Sequence, residues 1–441
     1  MRDLRGGAAA VVRSFDGPVG AYVHVPFCER ICPFCPYNKV VAEDGLARRY
    51  FAALHREVDA YAAALASAGR GPFTSLYIGG GTPTLYPEEL GEVVRRLPVS
   101  GERAVEVLPT HGTPERLDRL SELGFTSVSI GAQSFHDEVL HRLRRPHDAV
   151  ASRSATENAL GRFDSVDVDL IVDVEWEDGG LAGAFLEDVR TCFELGVDQV
   201  STYPLMRFGY TPFGTGGHDR RREHEVLRQA TALAEAMGYE RRSVWTFNKP
   251  GSAPYTSITR PRFLGMGAGS SSFAGRDFYV NHFGVGVYCD AVEAGQLPVA
   301  RRMGLGRWAG AAYDMFWQAY AGGIDLRAVA KAYGRAAAAV TRVGLAPLAL
   351  AGLVRPAPRR WELTARGFDV FHDLERLVTY QLIEPLWAEM LREHTVAPCA
   401  AAAPHDLASG ISTGQAHWVR PEHARGGRLW SGVRRALEGP L

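Results

Sequence analysis

The sequence predicts an α/β fold, with a parallel sheet that is either open or closed into an incomplete barrel, helices outside it, and a helix-rich part behind. Three observations predict this. Short strand-like runs alternate with helical patterns six times before about residue 240, apolar residues in the intervening stretches recur at helical spacing, and no similar repetition follows.

Taken in order, residues 1–20 read as a flexible opening. AYVHV (21–25) reads as the first strand, ended by Pro26, and it feeds a loop that carries Cys28, Cys32 and Cys35 within eight residues. A helix is expected over 45–66, where Leu46, Tyr50, Leu54, Val58, Tyr61 and Leu65 share one face. The later strands are TSLYI (74–78), AVEVL (104–108), TSVSI (126–130), VDVDLIV (166–172) and QVSTY (199–203). Helical patterns follow them at 87–97, 114–123, 137–143, 181–195 and 223–236. FLGMGAGSSSF (263–273) reads as a Gly- and Ser-rich stretch that lets backbone approach a neighbour closely. Helices return over about 305–394, with Trp317, Tyr320, Trp361 and Trp387 as core aromatics. The organisation is then 1–20 as a flexible segment, 21–300 as the sheet domain and its extension, 301–395 as a C-terminal domain, and 396–441 as a disordered or loosely attached tail.

Composition narrows the function classes. The chain has 441 residues, 46% of them hydrophobic, enough for a large core. With 49 basic against 50 acidic residues, bulk charge points to neither a nucleic-acid nor a membrane partner. No apolar run reaches the roughly eighteen residues of a membrane span, and the first residues lack the apolar core of a secretory signal, so a cytoplasmic protein is expected. Cys192, Cys289 and Cys399 are scattered and read as buried thiols rather than as a disulfide framework.

The cysteine loop is the strongest chemical signal. Three thiolates at this spacing can ligate three irons of a [4Fe-4S] cube and leave the fourth iron open to a chelating ligand. The alternative is a zinc site with His24 as a fourth ligand. At the end of the second strand, Gly79-Gly80-Gly81-Thr82-Pro83-Thr84 exposes backbone polar groups suited to an amino acid moiety; a plain strand-to-helix turn would need one glycine rather than three. A phosphate loop is excluded, because no Lys follows in the required pattern. Glu106, Gln133, Arg145 and Asp169 recur on or just after successive strands and so converge on one pocket, and Asp169 lies in an apolar strand where burial is costly without a partner.

CxxxCxxC is the signature of radical S-adenosylmethionine (SAM) enzymes, and the chain resembles their HemN-like group from about Tyr22 to Gly295 and weakly near Leu363 to Gly367. The resemblance is carried by YVHVPFC, GGGTPT, IGAQSF (130–135), DLI (169–171) and YTSITRPRFLGMG (255–267). It implies an incomplete (β/α)6 radical SAM barrel with a helix-rich C-terminal HemN-like domain. It implies that Cys28, Cys32 and Cys35 hold the cluster, that Tyr22 and His24 stand beside the cluster and SAM, and that Gly80, Gly81, Thr82, Glu106, Gln133, Arg145 and Asp169 bind SAM. It further implies a second SAM molecule near Tyr203 and Gly265 to Gly267. Tyr22, His24 and Tyr37 are the candidate catalytic side chains.

Two departures set the expected reaction. The coproporphyrinogen III oxidases of the group carry another cysteine where Tyr37 stands, and DLIVDVEWEDGG replaces the usual DLI and GLP turn. Porphyrin propionates would need basic partners; Arg207, Arg260 and Arg262 are available, but most surface arginines are merely solvated. The expectation is therefore a class C-like enzyme that transfers a SAM-derived methylene to an sp2 carbon of a natural-product intermediate, giving C-methylation or cyclopropanation. The alternatives are an anaerobic coproporphyrinogen III oxidase-like oxidoreductase and a HemW-like heme chaperone. The expected partners are an unsaturated or heteroaromatic small-molecule substrate, an electron donor such as flavodoxin or ferredoxin, and a partner methyltransferase, with no nucleic acid and no membrane.

Overall fold

The computed structural model describes residues 3–172, 181–214, 219–252 and 261–395. Six strands, Gly20–Val25, Leu76–Gly80, Arg103–Val107, Ser127–Gln133, Ser165–Val172 and Gln199–Pro204, lie side by side in chain order, every neighbouring pair parallel. They are the first to sixth barrel strands below. Helices Asp44–Ser67, Pro87–Arg96, Pro114–Glu122, Ala149–Ala159, Leu181–Leu195 and Arg220–Ala236 connect or follow them. Strand alternation sends Val23, Ile78, Val105, Val128, Val168 and Val200 to the helix-facing side, where all are fully buried in one apolar core. The opposite side carries Tyr22, Tyr77, Glu106, Ser129, Asp167, Asp169, Ser201 and Tyr203, an unusually polar barrel interior.

The sheet does not end with the six. Phe263–Met266 joins the first strand in parallel, with Tyr22 opposite Gly265, and three antiparallel strands, Ser271–Phe273, Asp277–Asn281 and Val299–Gly304, extend that edge. On the other edge Thr246–Asn248 pairs antiparallel with the sixth strand. Among the described residues a twelve-stranded open sheet results, its middle being the incomplete barrel. The stretch expected to be a Gly-rich approach loop is thus partly strand. Helices Arg307–Tyr320, Leu326–Tyr333, Arg335–Leu350, Ala365–Val378 and Glu384–Thr395 form the helix-rich C-terminal part around a small three-stranded sheet. Among the described residues no helix is long and apolar enough to cross a membrane.

The opening segment departs from its expected flexibility. Leu4–Ser14 is a helix capped by Asp3, whose carboxylate accepts the Gly6 amide at 2.7 Å, and Ala8, Val11 and Val12 are buried against the Asp44–Ser67 helix. Its two glycines and three consecutive alanines hide a narrow apolar face from a periodicity reading. The tail from 396 lies outside the described residues.

Glu57, fully buried on the Asp44–Ser67 helix, ties that helix to the sheet extension. Its carboxyl accepts from the Gly267 amide (2.8 Å), the Tyr288 hydroxyl (2.6 Å) and the Asn281 amide (3.0 Å). Burial outweighs these donors and pushes its pKa up to about 7 from an ordinary 4.5. Below pH 4.5 both folded and unfolded chains hold this proton. Between 4.5 and about 7 only the folded chain keeps it, so stability falls as pH rises across that window and is level above it. At 1.36 kcal/mol per pH unit the loss is about 3 kcal/mol. Denaturant midpoints at pH 5 and pH 8 should therefore differ less in Glu57→Gln than in the native chain; equal differences would refute the assignment.

Candidate active site

The cysteine loop leaves and rejoins the barrel at one place, because Phe27–Cys28 pairs in parallel with Val40–Val41. Cys28, Cys32 and Cys35 are all free thiols, the first buried and the others half-buried. The Cys35 amide donates to the Cys32 carbonyl at 3.2 Å, closing a turn between the last two. Arg145 Nη1 lies 3.2 Å from Cys32 Sγ, and its Nη2 donates to the Gly131 carbonyl at 2.7 Å. Burial pushes the Cys28 thiol up to about 12 and the Cys35 thiol upward as well, so an unmetallated loop keeps those protons and iron would displace them. Three soft donors on one short loop, flanked by a guanidinium, fit a [4Fe-4S] cluster.

The zinc alternative does not survive the geometry of His24. Its Nε2 lies 2.7 Å from the Asn38 carbonyl and must donate there, so Nδ1 is the bare nitrogen that accepts the Tyr22 hydroxyl at 2.7 Å. Burial lowers its pKa to about 4 and keeps the ring neutral. With both nitrogens engaged, His24 braces the loop through Asn38, whose side chain donates to the Ala268 (3.1 Å) and Phe283 (2.8 Å) carbonyls. Among the described residues no three His, Cys, Asp or Glu side chains are set to hold a single metal ion. A cube spreads its thiolates over three irons and needs no such convergence.

The triple glycine is required by packing. A Cβ on Gly79 would lie 2.6 Å from Glu106 Oε1, one on Gly80 2.8 Å from the His24 ring, and one on Gly81 2.5 Å from the Phe27 carbonyl and 2.9 Å from Cys28 Sγ. The amides of Gly80, Gly81 and Thr82 are already taken by Glu106 Oε2 (3.0 Å), the Val25 carbonyl (2.8 Å) and the Phe27 carbonyl (2.7 Å). These residues therefore bring the second strand against the cysteine loop, with the amides of Gly80, Gly81 and Thr82 engaged within the protein.

Glu106, Gln133, Arg145 and Asp169 do gather at the ends of the third to fifth strands, each half-buried. Glu106 accepts from Tyr77 Oη as well as from Gly80. Gln133 sits at an irregularity in the ladder to the fifth strand with φ of +69°, a left-handed conformation that is strained for a residue with a Cβ and that re-aims its side chain. Asp169 accepts from Ser129 Oγ at 2.7 Å, and burial, reinforced by the Glu106 charge, pushes its pKa up. Beneath it, two residues back on the same face, Asp167 is fully buried and holds the Ser201 hydroxyl at 2.8 and 3.0 Å. Burial and repulsion from Asp169 raise its pKa well above the usual range, so the two carboxyls do not both ionise. Asp167 was missed; its signal was the alternation VDVDLIV, which puts both aspartates on the interior face.

The C-terminal part covers the mouth. The Tyr37 ring lies 5.8 Å from that of Trp387, which stacks on Phe208 at 6.0 Å, while Glu384 accepts the Gly209 amide at 2.6 Å and Tyr380 Oη accepts the Arg207 amide at 3.0 Å. Tyr37 keeps 47% of its surface accessible, yet burial and the charges of Glu106, Cys35, Asp169 and Glu375 all raise its pKa. It therefore faces the interior space between strand ends and C-terminal helices. Tyr203 packs its ring against Trp245 at 5.9 Å and lies within electrostatic reach of Asp169 and Tyr37.

Gly265 pairs opposite Tyr22 and Gly267 lies beside the His24 carbonyl; both are buried, with their amides held by Ser272 Oγ (2.9 Å) and Glu57, and they pack the first strand against the extension. Arg262 is a structural clamp, nearly buried and bound to Asp16 at 2.7 Å. Arg260 and most of the rebuilt rim, 173–180, lie outside the described residues.

Residues 22–177 match the model of the radical SAM superfamily. The heme chaperone HemW of Escherichia coli strain K12 is 30% identical over 272 residues, covering 57% of this chain and 69% of that protein. The oxygen-independent coproporphyrinogen III oxidase of Pseudomonas aeruginosa is 27% identical over 325 residues, covering 66% and 69%. The solved structure of coproporphyrinogen III oxidase (HemN) from Escherichia coli superposes with a TM-score of 0.69 at 24% identity, covering 84% of this chain and 92% of that one, which shows the shared fold. These relatives overturn the expectation of C-methylation or cyclopropanation: they are heme chaperones and coproporphyrinogen oxidases. That expectation rested on Tyr37 and on the rim. Tyr37 is no cluster ligand, and its ring turns toward Trp387, so this one replacement leaves the cluster's donor set as it is.

Proposed function

We propose, for a chain that belongs to the HemN-like family of radical SAM enzymes and has a [4Fe-4S] cluster and SAM as its cofactors, an oxidoreductase acting on a tetrapyrrole of the porphyrinogen class. The observation that carries the reading is the meeting of the cysteine loop with Glu106, Gln133, Arg145 and Asp169 at one barrel mouth, under the C-terminal helices. The substrate class is taken from the relatives.

Bound there, the cluster and SAM would supply one-electron reductive cleavage of a sulfonium and, through it, abstraction of a hydrogen atom from carbon. Cys28, Cys32 and Cys35 would hold the cluster. Arg145 and Gln133 would orient the polar end of SAM, and Glu106 and Asp169 would hold its hydroxyl or amino groups. Tyr22 and His24 brace the loop from below, and Phe208, Tyr210 and Trp387 shield it from bulk water. A one-electron donor protein is required.

A second reading, a HemW-like heme carrier, is favoured by one observation: the aromatic Tyr37 stands where the oxidases carry a further cysteine. One experiment separates the two. Anaerobically reconstituted protein is given dithionite, SAM and coproporphyrinogen III, and a parallel sample is titrated with hemin. SAM-dependent loss of carbon dioxide to give protoporphyrinogen supports the oxidase. Stoichiometric heme binding without SAM turnover overturns it in favour of the carrier.

A further inference from the structure

Lys39 stands out among the groups that the proposed reaction leaves unused. It is only 4% exposed, and it lies one residue before the short ladder that closes the cysteine loop. Its ammonium turns back across that loop, donating to the carbonyl of Cys35 at 2.5 Å and to that of Tyr37 at 3.3 Å. On the far side Arg145 reaches Cys32 Sγ. Two cationic side chains thus meet the loop that presents the three thiols, one at its carbonyls and one at a sulfur.

The charge of this ammonium acts on whatever charge the loaded site carries. A [4Fe-4S]2+ cube on three thiolates carries one net negative charge, and taking up one electron makes it two, with no proton moved. A fixed positive charge close by favours the doubly negative state more than the singly negative one, so it makes the cluster easier to reduce.

We propose that Lys39 is a positioning residue of the cluster: its buried ammonium raises the reduction potential and pins the Cys35 end of the loop. The inference rests on the cluster assignment and on no particular substrate. It differs from the bracing by His24 and Asn38, which carry no charge.

The test is a redox titration of the anaerobically reconstituted full chain, following the electron paramagnetic resonance signal of the reduced cluster, with iron content and circular dichroism measured alongside. Lys39→Met should shift the midpoint to a more negative value. The expected shift is about a tenfold change in the ratio of reduced to oxidised cluster, about 59 mV for one electron. Lys39→Arg, which keeps the charge, should stay near the native midpoint. A Lys39→Met protein with full iron and the native midpoint would overturn the proposal. If Lys39→Met holds no iron, Lys39→Arg decides: native iron and midpoint support the role of charge, whereas a folded Lys39→Arg protein that also lacks iron overturns it. A native chain with no signal on reduction would instead strike down the cofactor assignment, and the role of Lys39 with it.

Discussion

Cys32→Ala should bleach the iron-sulfur absorption and bring 5'-deoxyadenosine formation down to background, a fall of at least about 100-fold. The reason is local. Cys32 sits between the other two ligands, its amide carbonyl closes the turn to Cys35, and its sulfur is the one that Arg145 contacts. His24 cannot step in, because both of its ring nitrogens are engaged and burial keeps it neutral. Cys192→Ala is the control: that thiol is fully buried in the Leu181–Leu195 helix and should leave iron content unchanged. Iron and sulfide analysis after anaerobic purification, with deoxyadenosine quantified by chromatography, reads the result. Full turnover in Cys32→Ala would end the cluster assignment.

Gly267→Ala carries the second largest expected effect, this time on stability. Its φ of +93° is strained for any residue with a Cβ, and a Cβ there would lie 2.5 Å from the His24 carbonyl and closer still to the Tyr50 hydroxyl. Neither neighbour can yield cheaply, since Tyr50 is fully buried and donates to that same carbonyl at 2.5 Å. Strain and clash together should cost about 3 kcal/mol or more, and relief by moving the end of the first strand would disturb the cysteine loop. Gly161→Ala separates the two terms. Its φ is +74° but no atom stands within 4 Å of the added carbon, so it should cost only about 1 kcal/mol of strain. Chemical denaturation of both variants, with iron content of the folded protein, measures the difference. Equal losses would show that the contact with His24 and Tyr50 has no energetic weight.

The two positions show how legibility divides. Cys28, Cys32 and Cys35 could be read directly as a group, because eight consecutive residues hold all three thiols and no distant segment is needed to bring them together. The six β-α units were legible for a similar reason: each strand and helix writes its own period into a short window, and parallel order follows from alternation. The Ala149–Ala159 helix went unread because its buried face is made of Ser, Ala and Thr rather than large apolar residues. At Gly265 and Gly267 the glycine run records only that something comes close, and within the chain the close neighbours are Ser271, Tyr50 and the His24 carbonyl.

By itself the sequence determined the α/β class, the six β-α units and the loop of three thiols, because each depends on residues near one another in the chain. Only the tertiary structure decided which groups surround those thiols. Asn38 finds its carbonyl partners some 230 and 245 residues away, Glu57 meets Gly267 across 210, and Arg145 reaches Cys32 across 113. A side chain's neighbours, and hence its charge state and its task, are set by pairings of distant strands that leave no period in the chain.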